Sequence, residues 1–250
     1  MKTVKWCKEN NLEFNVKKCA VMSTTHSRNK ILFSYEIENE TLNRVSSKKD
    51  LGVTMDDKLS FNEHVDSITR KAYQMLGFIF RCGKYFKNQS SMNLLYSSLV
   101  RNRLEYCSTV WNPCYAGAKD QIERVQKKFT RMFYYKFGIA NPRPPYHERL
   151  KHLKRHSLET RRLIADELVL YKLIHNQIDS TLRHQLAFHR PTRMTRRNPT
   201  FHLPRTVTNY QMNSPINRIQ RHHEEYFNAI EIRESRNSTF KQEVIGLYDW

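Results

Sequence analysis

The sequence has little of several features that would classify a protein at once. No apolar run approaches the roughly 18 residues of a membrane-spanning helix. The first ten residues do not contain the apolar segment of a signal peptide. The five cysteines are odd in number and irregularly spaced, so they predict no disulfide framework. We therefore expect an intracellular protein with reduced thiols, in either nucleus or cytoplasm.

The sequence also lacks the short motifs of common nucleotide-binding and hydrolytic sites. G-x-G-x-x-G, G-x-x-x-x-G-K-[ST], G-x-S-x-G and H-E-x-x-H do not occur. Cys107 and Cys114, together with His147, His152 and His156, offer possible zinc ligands, but their spacing fits no compact zinc pattern. We interpret them as buried cysteines and surface histidines, and we predict no metal site.

Acidic residues are missing from three long windows, residues 67–104, 124–147 and 180–223. The whole chain has a net charge of +19, with 43 basic and 24 acidic side chains. Solvated surfaces usually mix the two signs. This imbalance predicts a polyanionic partner, and nucleic acid is favoured over an acidic membrane surface.

Short strand patterns precede residue 60, and helical patterns follow it. The predicted strands are 19–22, 33–37, 41–45 and 51–55, which together would form a small antiparallel or mixed sheet of three or four strands. A short helix is expected at 2–10, with Trp6 and Cys7 inward. The main predicted helices are 61–84, 90–106, 119–137, 146–153, 158–174 and 218–232. In the second of these we expect Leu94, Leu95, Leu99 and Leu104 to face inward. This order indicates an α+β fold, divided into 1–59, 60–140 and 141–250, with an irregular Arg- and Pro-rich stretch at 181–215.

The junction between strands and helices contains Met55-Asp56-Asp57, a sequence typical of the metal-binding turn of polymerases. Two-metal phosphoryl transfer also needs a carboxylate from a facing strand. Asp50 is the only earlier aspartate, and it lies on the same segment. We therefore interpret the pair as a strand end and turn before a helix that starts at Ser60, three residues ahead of Glu63 in a capping-box pattern.

The helix predicted at 119–137 separates apolar from basic residues. Ile122, Val125, Phe129, Met132 and Phe133 fall within one arc, and Arg124, Lys127, Lys128 and Arg131 fall on the opposite arc. A basic row of this kind suits contacts to successive phosphates, although a solvated face remains the alternative. Tyr134 and Tyr135 at its end could stack on a base or belong to the core.

Several segments together resemble the reverse transcriptases of jockey-like non-LTR retrotransposons. The resemblance covers nearly the whole chain, and each segment alone has low specificity. The segments that carry it up to Pro113 are Trp6-Cys7, Asn11-Leu12-Glu13-Phe14-Asn15-Val16-Lys17-Lys18-Cys19, Lys49-Asp50-Leu51-Gly52-Val53, Asp56, Leu59-Ser60-Phe61, His64, Leu76-Gly77-Phe78-Ile79, Arg81, Leu95-Tyr96, Leu99-Val100-Arg101, Leu104-Glu105-Tyr106 and Val110-Trp111-Asn112-Pro113. Beyond it they are Ile122-Glu123-Arg124-Val125-Gln126-Lys127-Lys128-Phe129, Tyr146, Arg149-Leu150, Leu153, Arg161-Arg162 and the tail at Pro215.

The resemblance implies that the chain corresponds to the end of the palm, the thumb and the C-terminal region of an RNA-directed DNA polymerase. Lys18 matches a lysine near the incoming nucleotide, and Asp50, Leu51, Gly52 and Val53 match the hairpin that grips the primer. The catalytic aspartates would precede residue 1. We therefore assign no catalytic residue and no cofactor here, and expect Mg²⁺ only in an intact polymerase.

The expected partner is an RNA or DNA template–primer duplex. The alternatives are a non-catalytic nucleic-acid-binding module and an inert remnant of a transposable element.

Overall fold

A computed structural model describes residues 2–13, 15–25, 27, 32–37, 39–140, 142–189, 199–228, 230, 232 and 237–248. The chain divides into two compact units, Met1–Asp66 and Ser67–Trp250. Strands occur in the first and helices dominate the second, which confirms the predicted α+β class. Within these residues no helix combines the length and apolarity needed to cross a membrane.

The first unit contains two separate antiparallel hairpins in place of the single sheet that we predicted. One pairs Glu36 with Thr41, and the other pairs Ser47 with Asp56. The elements in chain order are α1 (Lys2–Glu9), a 3₁₀ turn (Val16–Lys18), β1 (Glu36–Ile37), β2 (Glu40–Thr41), β3 (Ser47–Asp50) and β4 (Val53–Asp56). The predicted strand at 19–22 is reduced to one parallel bridge between Val21 and Arg44.

Two placements in this unit differ from the prediction. Leu51 is not the start of a buried strand, because it forms the two-residue turn of the β3–β4 hairpin with Gly52 and is 84% exposed. Both turn residues have positive φ, 43° and 89°, as the tight turns that match strand twist require. Trp6 is exposed instead of inward.

The second unit is built from helices. α2 (Asn62–Cys82) leads into it, the unit boundary falling at Asp66. The others are α3 (Gln89–Leu95), α4 (Asn102–Glu105), α5 (Ser108–Trp111), α6 (Ala116–Phe137), α7 (Tyr146–His152), α8 (Leu158–Ile174), α9 (Asn209–Met212), α10 (Pro215–His222) and α11 (Asn237–Gly246). α8 has the bounds that its apolar periodicity predicts, and Ser157 caps it by accepting from the Thr160 N–H.

The helix predicted at 90–106 is a continuous run in which a π-helical segment, Tyr96–Arg101, joins α3 to α4. Its fully buried side chains are Met92, Tyr96, Val100 and Leu104. Our prediction that Leu94 faces inward is wrong, since this side chain is 68% exposed. In a regular α-helix, side chains spaced by four residues would drift around the helix axis. The wider π turn keeps these four side chains on one side of the helix.

The end of the chain also departs from the prediction. The last predicted helix starts earlier, with Pro215 in its first turn, and continues through a second π segment, His223–Phe227. α11 was not predicted. Residues 190–198 of the Arg- and Pro-rich stretch lie outside the described residues, and its remainder contains a 3₁₀ turn, Thr181–Gln185.

Two groups of buried side chains hold the second unit together. Near α6, Phe129 stacks on Tyr96 with ring centroids 3.9 Å apart and contacts Phe133 at 5.7 Å. The other group joins α8, α10 and α11. It consists of Ile164, Leu170, Tyr171, Leu173, Leu186, Phe201, Ile216, Ile219, Phe227, Ile230, Ile232, Phe240 and Val244. Each such side chain contributes roughly 1.5–3 kcal/mol on burial, which fixes the helix that carries the candidate site.

Candidate nucleic-acid interface

Helix α6 presents its predicted apolar face to the interior. Ile122, Val125, Phe129 and Phe133 have no exposed surface. Gly138 ends the helix in the left-handed region, at φ 58°, and its N–H caps the carbonyls of Tyr134 and Tyr135. The packing half of the α6 prediction is thus confirmed, and it fixes which side of the helix faces outward.

The opposite side carries Arg124, Lys127, Lys128 and Arg131, which we call the basic arc. Arg124, Lys128 and Arg131 are exposed, and Lys127 is half-buried. Lys128 Nζ lies 5.2 Å from the centre of the Tyr73 ring. The described residues place no carboxylate within ion-pair distance of Lys128 or Arg131. These two cations are therefore available to an external anion.

The other half of the basic arc has an internal partner. Asp120 lies one turn before Arg124, and its carboxylate accepts from Arg124 Nε at 2.7 Å and from Lys127 Nζ at 2.9 Å. These hydrogen bonds, first from Lys127 and then from Arg124, lower the pKa of Asp120 below its ordinary value. Sequence reasoning missed this pairing because it searched for acids only from residue 124 onward, whereas the partner is four residues earlier.

At its C-terminal end the basic arc opens into a groove of about 570 Å³. We call this the end groove. It is lined by Phe80, Lys84, Arg131, Met132, Tyr135, Lys136 and Arg143. The lining contains four basic side chains and no acidic one. Lys136 Nζ donates to the Lys84 carbonyl at 2.8 Å, which ties the end of α6 to the 3₁₀ turn Gly83–Tyr85 after α2.

The two tyrosines at this end have different environments. Tyr134 is 4% exposed and contacts the His152 ring edge-on, so it belongs to the core. Tyr135 is 88% exposed at the end groove. The sequence left both roles open for both residues. The structure assigns the core role to Tyr134 and exposes the Tyr135 side chain to solvent.

The remaining predicted binding residues lie in the first unit. The Lys18 carbonyl accepts from Lys48 Nζ at 3.1 Å, so Lys18 lies beside strand β3 of the hairpin. Its own side chain is exposed. Asp50 and Val53 form the last pair before the turn of that hairpin. The structure therefore places Lys18 and residues 50–53 in the first unit, with Lys18 in contact with Lys48 of β3, and it places the basic arc in the second unit.

Asp56 has a structural role in the first unit. Its carboxylate accepts from the Phe61 N–H at 2.9 Å, directly before α2. Burial raises its pKa, but hydrogen bonds from Phe61 and Ser60 outweigh that effect and leave the pKa below the ordinary value. These contacts agree with the interpretation of a strand end and turn. The predicted capping box needs correction, because α2 begins at Asn62 and Ser60 Oγ accepts from the Asn62 N–H at 3.4 Å instead of from Glu63.

The cysteine interpretation needs correction, since Cys107 and Cys114 are exposed rather than buried. Among the described residues, no three His, Cys, Asp or Glu side chains are grouped to hold a metal ion.

Several arginines that the sequence counted as surface charge are inside the second unit. Arg218 donates from Nε to Asp166 at 3.1 Å, and their side chains are 4% and 1% exposed. Arg162, Arg155 and Arg149 are also buried. The pKa of Asp166 is raised by burial, which the charge of Arg218 only partly offsets. The charge that the surface presents is therefore smaller than the net charge of the sequence suggests.

Comparison with known proteins gives limited information. No family model matches the chain, and no solved structure matches it. A curated relative from Caenorhabditis elegans, described as "Uncharacterized protein B0403.1", is 27% identical over 115 residues. The match covers 46% of this chain, and it spans a little over half, 57%, of the relative's length. Neither family nor function follows from it.

Proposed function

We propose that this chain binds nucleic acid, with the basic arc of α6 lying against the phosphate backbone of a duplex. The observation that carries the proposal is the separation of the two faces of α6. One face is buried, so the other is fixed outward, and it carries four cations, two of which donate to Asp120 one turn before Arg124.

The dimensions of the arc suit a polyphosphate. Arg124 and Arg131 are seven residues apart, about 10 Å along a helix axis. Over that length a duplex presents about six phosphates. The packed helix fixes the backbone positions from which these side chains extend, so the spacing of the cations along the duplex is set before binding.

We propose the template–primer duplex of RNA-directed DNA synthesis as the form of nucleic acid. Support comes from the sequence resemblance to jockey-like reverse transcriptases, in which the corresponding helices form the thumb. In this proposal the chain contributes duplex binding, and the catalytic carboxylates and Mg²⁺ belong to the rest of a polymerase. Asp56 supports that division, because its carboxylate is engaged by the start of α2.

The test is a salt titration of binding to a short RNA–DNA hybrid. In the variant Arg124→Gln/Lys127→Gln/Lys128→Gln/Arg131→Gln four cations are removed, one of which Asp120 already neutralises. We expect the slope of log affinity against log salt to flatten by about 3. The loss should be nearly independent of base sequence, because phosphate contacts position a protein without reading bases.

A matched variant controls for the overall loss of charge. Lys87, Lys151, Lys154 and Lys241 are exposed and lie outside the basic arc. Replacing these four by Gln removes the same charge and should change the slope by less than about 1. Equal slopes for the two variants would show that the arc is an ordinary solvated face.

A further inference from the structure

Resting on the proposed function, we propose that the end groove binds an unpaired nucleotide of a single strand that extends from the duplex, with its base stacked on Tyr135. The basic arc would then bind the paired part of the nucleic acid, and the end groove would bind the first unpaired nucleotides. The proposal goes beyond duplex binding because it gives the site a preference for a junction between paired and unpaired nucleic acid.

The charge of the end groove selects an anionic ligand. Arg131, Arg143 and Lys84 are exposed at its walls. Lys136 is held by the Lys84 carbonyl, so it adds charge while keeping the wall in place. Because the lining includes no carboxylate, a phosphate entering the groove meets no repulsion from its walls.

The aromatic part of the groove selects a flat apolar group. Tyr135 follows the buried Tyr134 directly, so the packed helix fixes the direction in which the Tyr135 ring projects. Phe80 and Met132, both only partly buried, add apolar surface beside it. Exposed aromatic rings next to basic side chains are the usual elements of single-strand sites, where bases stack on rings while phosphates meet cations.

A stacked base must be unpaired to reach this ring. Inside a duplex each base already lies between its neighbours, and only the phosphates and groove edges are accessible. The groove volume of about 570 Å³ falls within the range of small-ligand sites. The chemistry therefore points to one or two nucleotides beyond the paired region.

The position of the groove agrees with a paired region on the basic arc and unpaired nucleotides beyond it. Arg131 belongs to both the basic arc and the end groove. From Arg124 to Tyr135 the helix rises about 16 Å. A strand that follows α6 would thus pass from the arc into the groove without leaving the basic surface.

The test compares a blunt RNA–DNA hybrid with the same hybrid carrying a four-nucleotide single-stranded extension. We expect Tyr135→Ala to weaken binding of the extended hybrid by roughly tenfold, as one base–aromatic stack predicts, and to leave blunt-hybrid binding unchanged. Tyr135→Phe keeps the ring and should bind like the parent. Tyr115→Ala is the matched control, since Tyr115 is also exposed, precedes α6 and does not line the groove.

A spectroscopic measurement separates stacking from charge. 2-Aminopurine at each unpaired position in turn should be quenched by the parent and by Tyr135→Phe at one position, and not by Tyr135→Ala. Arg131→Gln/Arg143→Gln should weaken binding while leaving quenching at saturation. Absence of quenching at all four positions, or an equal loss in Tyr135→Ala and Tyr115→Ala, would overturn the proposal.

Failure of this proposal is distinct from failure of duplex binding. Blunt-hybrid binding that depends on the basic arc but is indifferent to the extension would refute the end groove alone. Poly-glutamate that displaces the extended hybrid as well as a single-stranded oligonucleotide of equal charge would assign the groove to acidic peptides and would also refute it.

Discussion

Inside the Ser67–Trp250 unit, Arg218 is 4% exposed and donates to Asp166, whereas on the outer face of α6 Arg131 is exposed and has no carboxylate partner in the described part of the chain. The same side chain thus occurs in two opposite settings within one unit. Arg155 belongs with Arg218, because it is buried and donates to the Asn93 carbonyl at 2.9 Å and to Ser97 Oγ at 2.9 Å. Arg124 is exposed like Arg131, but it donates to Asp120.

The difference shows that net charge and binding capacity are separate quantities. The buried guanidinium groups of Arg218 and Arg155 donate to internal acceptors and are shielded from salt. They therefore contribute to the fold and little to the attraction of a polyanion. An exposed one contributes little to stability and much to long-range attraction. Substitution of a buried arginine should therefore lower stability, whereas substitution of an exposed one should weaken binding.

The largest effect is expected in the interior. Arg218→Ala leaves Asp166 buried without its partner, and we expect the free energy of unfolding to fall by about 3–5 kcal/mol. Arg131→Gln should change it by less than about 0.5 kcal/mol. Urea unfolding of both variants measures the contrast. The double variant Arg218→Met/Asp166→Leu removes both charges and should recover most of the loss, and equal losses for Arg218→Ala and Arg131→Gln would erase the distinction.

The next effect concerns acid sensitivity of the same interior. Burial, followed by the charges of Arg218, Arg221 and Lys119, lowers the pKa of His222 to about 4. Asp166 lies 3.9 Å from His222 Nδ1, but Arg218 already neutralises that carboxylate. His222 is therefore neutral in the folded protein at pH values where an unfolded histidine binds a proton.

The direction of the pH dependence follows from that difference. Between about pH 6.5 and pH 4 the unfolded chain takes up a proton that folded His222 does not, so acidification destabilises the fold, by about 3 kcal/mol at pH 4. Between about pH 6.5 and pH 4 the free energy of unfolding of His222→Gln, measured in urea, should fall by about 3 kcal/mol less than that of the parent. Asp166 and Glu167, whose pKa values burial raises, act in the opposite direction in both proteins. An equal pH dependence of the unfolding free energy in parent and variant would contradict the lowered pKa of His222.

The smallest effect is expected on the surface and in binding alone. Asp120→Asn removes the acid that holds Arg124 and Lys127. We expect the salt dependence of hybrid binding to steepen by about 1, with affinity rising several-fold at low salt and the unfolding midpoint unchanged. Glu9→Gln, which releases Lys5 from an exposed ion pair of 3.8 Å in the first unit, is the control. Weaker binding by Asp120→Asn would mean that the ion pairs position the arc.

The sequence predicted the elements that rest on strong local periodicity. α8 and the buried face of α6 follow from apolar residues at helical spacing, which burial against neighbouring helices then fixes. Leu51 and Leu94 were misplaced because residue type alone suggested burial. The hairpin turn and the π segment, which decide the actual exposure, depend on hydrogen-bond geometry that periodicity does not encode.

Only the part of the candidate site that follows from local helical spacing was predicted from the sequence. Helical spacing placed the basic arc, yet the pairing of Asp120 across one turn and the burial of Arg218 depend on which side chains meet in three dimensions. Lys84 joins the end groove from the turn after α2, and Arg143 joins it from the segment that follows α6. Their one visible signal was that both fall inside windows without acids.

The π segment at Tyr96–Arg101 also bears on how the length of this helix can vary. A π turn holds one residue more than the α-helical turn it replaces. Deleting that residue would shorten the spacing between Tyr96 and Val100 from four residues to three. Met92, Tyr96, Val100 and Leu104 would still share one face, because spacings of four, three and four are those of a regular α-helix. Ser98 is exposed and donates only to carbonyls of the preceding turn, so it is the position where a shorter relative can lack a residue and keep the same core. Sequence alignments of this region should therefore place a one-residue gap there and keep the apolar positions on both sides in register.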